Sequence, residues 1–142
     1  MQKINYNFHK QGKAGEHFVM FDAYWSGYTA TMVDNLVQYD VLIFDQNKPF
    51  KIQVKTSSKT RTDGYSYKYG LKTHKMGKNP IKGGYKPDKV DIFAFVQPEI
   101  KKVAYIPYDQ VRTNWEVTIT HKEFNDGNLT LKSALFFIHN NL

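Results

Sequence analysis

Tyr39-Asp40-Val41-Leu42-Ile43-Phe44-Asp45, the polar break Gln46-Asn47-Lys48-Pro49, and Phe50-Lys51-Ile52-Gln53-Val54-Lys55-Thr56 decide the reading of this chain. Both apolar runs are short, rich in β-branched and aromatic residues, and bounded by turn formers, which predicts two adjacent strands of a meander. Alternate residues of a strand share a face, so Ile52 and Val54 are expected in the core while Gln53 and Lys55 project together from the other side. Asp40 on the neighbouring strand falls beside them. A carboxylate, an amide and an amine are thereby brought to one place.

Working outward, Ala14, Phe18, Phe21 and Trp25 recur at three- and four-residue intervals, which predicts a helix from about His9 to Ser26 with Gly27 as its C-terminal stop. Tyr28 to Val33 reads as a strand preceding the pair. Val90 to Gln97 and Lys102 to Ile106 read as two more, around Pro98-Glu99-Ile100-Lys101, with Pro107 ending the second. The fold class is therefore α/β (α+β), a mixed sheet of about five strands flanked by helices. Asp109 to Arg112 suits a single helical turn, and Leu129 to Ile138 carries an apolar run of ambiguous period. With no internal repeat and no shift of composition, residues 1–142 read as a single domain of ordinary size.

The formal charge of +7 is concentrated in one place. Thr56 to Pro87 holds Lys59, Arg61, Lys68, Lys72, Lys75, Lys78, Lys82 and Lys86 against the single acid Asp63, while the rest of the chain has 12 bases and 12 acids. A basic segment abutting the carboxylate, amide and amine is the electrostatic footprint of a polyanion binder and points to nucleic acid. Its glycines and prolines, Gly64, Gly70, Gly77, Gly83, Gly84, Pro80 and Pro87, predict loops, with a short hairpin at Tyr65 to Leu71. Tyr65, Tyr67 and Tyr69 alternate with Ser66 and Lys68, placing three rings on one face, either to contact bases or to pack beneath the loop.

Cysteine is absent, so there is no disulfide framework and no thiolate metal site; any metal must be a hard cation on oxygen or imidazole. No run is long enough to span a membrane and the N-terminus lacks the pattern of a secretory signal, so a soluble, cytoplasmic protein is expected. There is no phosphate-binding Gly-Lys-Ser loop, no nucleophile elbow, and no metal-ligand spacing among His9, His17, His74, His121 and His139. Asp88 and Asp91 form a further acidic pair, with Asp88 after Pro87 suited to capping a turn.

Phosphodiester hydrolysis needs an oxygen cage that holds Mg²⁺ or a similar ion against the phosphate, with a cation or acid to manage the attacking water and the developing charge. Asp40 offers an anionic oxygen, Gln53 and the backbone carbonyl of Val54 offer neutral ones, and Lys55 an ammonium that orients the nucleophile or offsets phosphate charge.

These residues resemble the motif of the PD-(D/E)XK nuclease superfamily: Tyr39-Asp40 stands for Pro-Asp and Gln53-Val54-Lys55 for Glu-X-Lys, while Gly15-Glu16 precedes Phe18 and Val19 as in resolvase-like members. The chain is more specifically similar to the group I intron homing endonucleases with a Gln-X-Lys variant. Val90-Asp91-Ile92-Phe93-Ala94-Phe95 and Tyr105-Ile106-Pro107 extend that similarity to about Pro107. The resemblance implies a restriction-endonuclease-like core, a first-helix acid at Glu16, and a catalytic set of Glu16, Asp40, Gln53 and Lys55. Its metal ligands would be Asp40, Gln53, the Val54 carbonyl and Glu16. Gln in place of Glu removes a negative charge from the cage, and the superfamily's second core helix has no obvious counterpart between Thr56 and Pro87, unless a short helix lies near Leu71 to Met76.

The expected function is that of a Mg²⁺- or Mn²⁺-dependent endonuclease cutting double-stranded DNA, of the site-specific homing type, in a prokaryotic or phage-like setting. Lys13 and the basic segment, with Tyr65, Tyr67 and Tyr69, would contact DNA. One site per chain implies a homodimer or homotetramer, with Leu135 to Ile138 as interface or as core. Three alternatives stay open: a Holliday-junction resolvase, a restriction-type nuclease of the same fold, and a non-catalytic nucleic-acid binding module, with RNA not distinguished from DNA.

Overall fold

The computed structural model describes residues 3–33, 37–57, 64–72 and 80–141, with side chains from His9 onward. Helix α1 (Lys3–Trp25) leads into strands β1 (Thr29–Met32), β2 (Val41–Asp45) and β3 (Lys48–Thr56). These are followed by β4 (Ser66–Gly70), β5 (Ile92–Gln97), β6 (Lys102–Pro107), β7 (Glu116–Thr120), α2 (His121–Asn125) and α3 (Leu131–Asn140). Gly27, at φ +95°, ends the first helix as its position predicts.

The main sheet has the order β1-β2-β3-β5-β6, the expected five-stranded mixed sheet flanked by helices. Neighbours are antiparallel except β3 and β5, which run parallel, with Gln53 beside Phe93 and Lys55 beside Phe95. The β2–β3 connection is tighter than the four-residue break suggests. Asp45 pairs with Lys48, so the loop is only Gln46-Asn47, both at positive φ, which matches the twist of the flanking strands. Pro49 is tolerated because it precedes the part of β3 that pairs with β5.

Two cores cover the two faces of the sheet. One gathers Val19 and Ala23 of α1 and Leu131, Ala134 and Leu135 of α3 against Val41, Ile43, Ile52 and Val54. The other gathers Tyr67, Tyr69, Val117, Ile119 and Phe124 against Phe93 and Phe95. With both faces covered, all six residues of β5 are buried, as parallel-paired strands require. The C-terminal apolar run is a helix whose Ala134 and Leu135 are core; Phe136 points outward, 70% exposed.

Two expectations are corrected, and a third lies largely outside the described residues. The buried face of α1 is Gly15, Val19 and Ala23, whereas Ala14, Phe21 and Trp25 face outward. Gly15 explains the offset: a Cβ there would lie 1.8 Å from Thr56 Oγ1, so small residues let the helix lie directly on β3. Tyr65 to Leu71 is no hairpin, because β4 is one strand paired antiparallel with β7, 50 residues on, in a two-stranded sheet. Of the short helix suggested near Leu71 to Met76, residues 73–76 lie outside the described residues, and Leu71 and Lys72 are not helical. Among the described residues no helix is long and apolar enough to cross a membrane.

Candidate active site

Asp40 sits just before β2, where its backbone is tied on both sides: its amide donates to the Ile52 carbonyl at 2.8 Å, and its carbonyl accepts from the Val33 amide at 3.1 Å. Since Val41 pairs with Ile52, one further step brings Asp40 opposite Gln53. The carboxylate leans along β3 and accepts the Val54 amide hydrogen at 2.9 Å. Gln53, only 9% exposed, and Lys55 project from the face opposite Ile52 and Val54, as alternation predicts.

The electrostatics join these groups to Glu16 on α1. Burial raises the Asp40 pKa to about 6; the Val54 hydrogen bond opposes this, Glu16 adds to it, and Lys55 and Lys13 oppose it. Burial lowers the Lys55 pKa to about 8, partly countered by Asp40. Both shifts are caused first by burial and each group opposes the other's shift, so a buried carboxylate and a buried amine lie within electrostatic reach of one another. Glu16 is held by Lys13, whose ammonium lies 3.4 Å from its carboxylate. Lys13 thus pairs with a site carboxylate.

The geometry adds Tyr85. The Lys55 ammonium stands 4.8 Å from the centroid of its ring, which is buried and wedged edge-on against Phe93 at 5.4 Å. Burial and the nearby Asp40 charge push the Tyr85 hydroxyl above its ordinary pKa. No local pattern exposes this pairing, because 30 residues separate Tyr85 from Lys55 and only the β3–β5 crossover joins them.

The oxygen donors suit a hard cation: Asp40 and Glu16 carboxylates, the Gln53 amide oxygen and the Val54 carbonyl. The Gln53 amide nitrogen donates to that Val54 carbonyl at 3.3 Å, a bond that engages the carbonyl and does not use the Gln53 amide oxygen. Burial is the main cause of the raised Asp40 pKa, and a bound divalent ion would offset it by favouring the charged carboxylate. Among the described residues no cluster of three His, Asp or Glu side chains exists, so any such ion draws on the amide and backbone oxygens.

The residues expected to contact DNA divide. Lys59, Arg61, Lys75 and Lys78 lie outside the described residues. Lys72 and Lys86 are exposed, and Lys68 is exposed while reaching Glu116 at 3.2 Å. Tyr65 is 75% exposed, but Tyr67 and Tyr69 are core, so for those two rings packing replaces the expected contact with DNA. The β4–β7 sheet covers the main sheet with that side: the Tyr69 hydroxyl donates to the Val96 carbonyl at 3.0 Å, and Tyr67 meets Phe124 edge-on at 5.7 Å. The Lys82 ammonium is also committed, donating to the Tyr108 carbonyl at 2.6 Å over that residue's ring. Asp91 is structural, its carboxylate accepting the Lys51 amide at 2.7 Å between β3 and β5.

Comparison with curated proteins by sequence gives no match. Among solved structures the chain is similar to the bacterial homing endonuclease I-Ssp6803I, with TM-score 0.66 and 15% identity over 92% of this chain and 90% of that one. It is also similar to Hjc, a Holliday junction resolvase from the archaeal hyperthermophile Archaeoglobus fulgidus, with TM-score 0.50 and 14% identity over 80% and 86% of the two chains. At these identities the likeness shows the fold. The sequence profile of the PD-(D/E)XK endonucleases matches residues 6–134, nearly the whole chain, and to that family this protein belongs.

Proposed function

We propose that the chain is a divalent-metal-dependent endonuclease that hydrolyses phosphodiester bonds in double-stranded DNA, of the site-specific homing type, working as a homodimer or homotetramer. The observation that carries the proposal is the convergence of Asp40, Gln53 and Lys55 at one end of β2 and β3, with Glu16 in electrostatic reach from α1. Asp40, Gln53, the Val54 carbonyl and Glu16 would hold Mg²⁺ or Mn²⁺, which when bound acidifies water and offsets charge on the phosphate. Lys55 holds its proton below about pH 8 and orients the attacking water or the phosphate oxygen. Tyr85 keeps solvent from one side of that ammonium. Exposed Lys72 and Lys86 extend positive charge away from the site for the flanking backbone. We favour the homing type over the other activities of this family on the Gln53-Val54-Lys55 pattern, which resembles the Gln-X-Lys variant of those enzymes.

The test is nicking of supercoiled plasmid and of branched DNA with Mg²⁺ or Mn²⁺, comparing the wild type with Asp40→Ala and Lys55→Ala where all three still bind DNA. Cleavage that needs metal and vanishes in both variants is expected. Firm salt-sensitive binding with no cleavage on any substrate would replace the nuclease by a binding module.

A further inference from the structure

Beside the candidate active site lies an open cleft of about 420 Å³ lined by Gln38, Tyr39, Lys51, Gly84, Lys86 and Lys89 among others. Among the described residues its lining includes three lysines and no Asp or Glu. Lys51 is anchored, donating to the Asp88 carbonyl at 2.8 Å with its ammonium 5.9 Å from the Tyr39 ring, which leaves further N–H donors for a ligand. Lys86 and Lys89 are exposed, and among the described residues neither forms an ion pair. Gly84, at φ +92°, brings bare backbone to the wall. Tyr39 offers a ring, and among the described residues the Gln38 amide oxygen is buried without a hydrogen-bond partner.

The position of the cleft is as informative as its lining. Tyr39 adjoins Asp40, Gly84 and Lys86 flank Tyr85, and Lys51 shares the Gln53–Lys55 face of β3. Two residues along a strand span about 7 Å, roughly two nucleotide rises of DNA. We propose that this cleft is a nucleotide subsite, taking the phosphate of a nucleotide one or two steps from the scissile bond on Lys51, Lys86 and Lys89, with its base against Tyr39. The inference rests on the nuclease reading and deepens it. It assigns to Lys51, Lys89, Tyr39 and Gln38 a contact with the cleaved strand, and it makes the lysines of the cleft, rather than basic charge in general, the local grip on the DNA.

The experiment compares Lys86→Ala/Lys89→Ala with Lys122→Ala/Lys132→Ala, which removes equal charge from exposed positions on α2 and α3. Binding of a labelled duplex is followed in chelator between about 50 and 200 mM salt. The cleft variant is expected to bind roughly tenfold more weakly, with a log–log salt slope shallower by about 1 to 2, while the control stays near the wild type. Photo-crosslinking from halogenated uracils in the same duplex is expected to label Tyr39. Equal losses in the two double variants overturn the subsite, and so does crosslinking confined to other residues. Because these readouts need no cleavage, a protein that binds through the cleft without cutting retires the nuclease reading and leaves the cleft as a DNA-binding site only; a protein that binds no DNA retires both.

Discussion

Asp40 and Lys55 fix the pH behaviour expected of the enzyme. A metal ligand must be deprotonated, so below about pH 6 protons compete for Asp40 and cleavage falls. Lys55 loses its charge above about pH 8, so activity that needs the ammonium falls there. A bell-shaped profile of kcat/KM with limbs near those values is expected; a flat profile from pH 5 to 9 would remove both residues from the chemistry. The same Asp40 bears on stability with a definite sign. Its pKa is raised from 3.8 to about 6, so the folded state holds the proton more tightly, and stability present at low pH is lost as pH rises through about 6. That shift corresponds to about 3 kcal/mol. Asp40→Asn keeps an oxygen for the Val54 amide and removes the charge. Without metal it is expected to melt higher than the wild type at pH 8, by on the order of 1–3 kcal/mol, and to lose that advantage near pH 4. Such a trade of stability for function belongs to a site. At this scale Asp40, Gln53 and Lys55 were legible because two-residue alternation and one hairpin bring them together. Tyr85 and Lys89 were not, since their approach depends on the path of the chain between β3 and β5. Alternation also paired Tyr67 with Tyr69 correctly, but nothing local says which face a second sheet will cover.

Among the elements, α1 lies closely on β3, and that contact brings Glu16 within electrostatic reach of Asp40. Gly15 meets Thr56 so closely that a Cβ would stand 1.8 Å from Oγ1 and 3.0 Å from the Thr56 Cβ. Gly15→Ala must displace either the helix or the end of β3, and overpacking of this kind costs about 1–3 kcal/mol. Thr56→Ala removes the nearer atom, and the Thr56 hydroxyl is buried without a hydrogen-bond partner, so its loss alone is cheap. The double variant is therefore expected to be more stable than the sum of the single losses predicts, by about 1 kcal/mol in denaturant melts. Additive losses would mean that Gly15 is kept for some reason other than this contact. The helix and the five strands of the main sheet were legible from periodicity and turn residues. The buried face of α1 was misread because large aromatics dominate a hydrophobic pattern, while the sheet is met by the small residues that permit close approach. β7 and α2 went unread although Val117 and Ile119 alternate with threonines and Thr120 caps α2 together with Glu123; short elements distant from their partners carry little signal of what they cover.

For the whole molecule, the consequence of one site per chain is kinetic. Asp40, Gln53 and Lys55 occur once in each protomer, and the two strands of a duplex present their phosphates in opposite directions. A lone chain reaches one of them; cutting both requires a second copy related by two-fold symmetry or a second encounter. Two apolar patches are exposed in this fold: Phe21 and Trp25 stack at 5.8 Å on the outer side of α1, 61% and 81% exposed, and Phe136 faces outward from α3. The course of cleavage decides the matter without knowing the face. If assembly precedes cutting, linear plasmid is expected to form with little nicked intermediate once protein exceeds the dissociation constant of the assembly, and nicked circles are expected to accumulate as the protein is diluted below it. Sedimentation over the same concentrations should show the mass changing where the product ratio changes. Nicked circles accumulating at every concentration, with the protein a monomer throughout, would mean that each chain nicks alone, and the homodimer or homotetramer would have to be abandoned while the site at Asp40 and Lys55 remained.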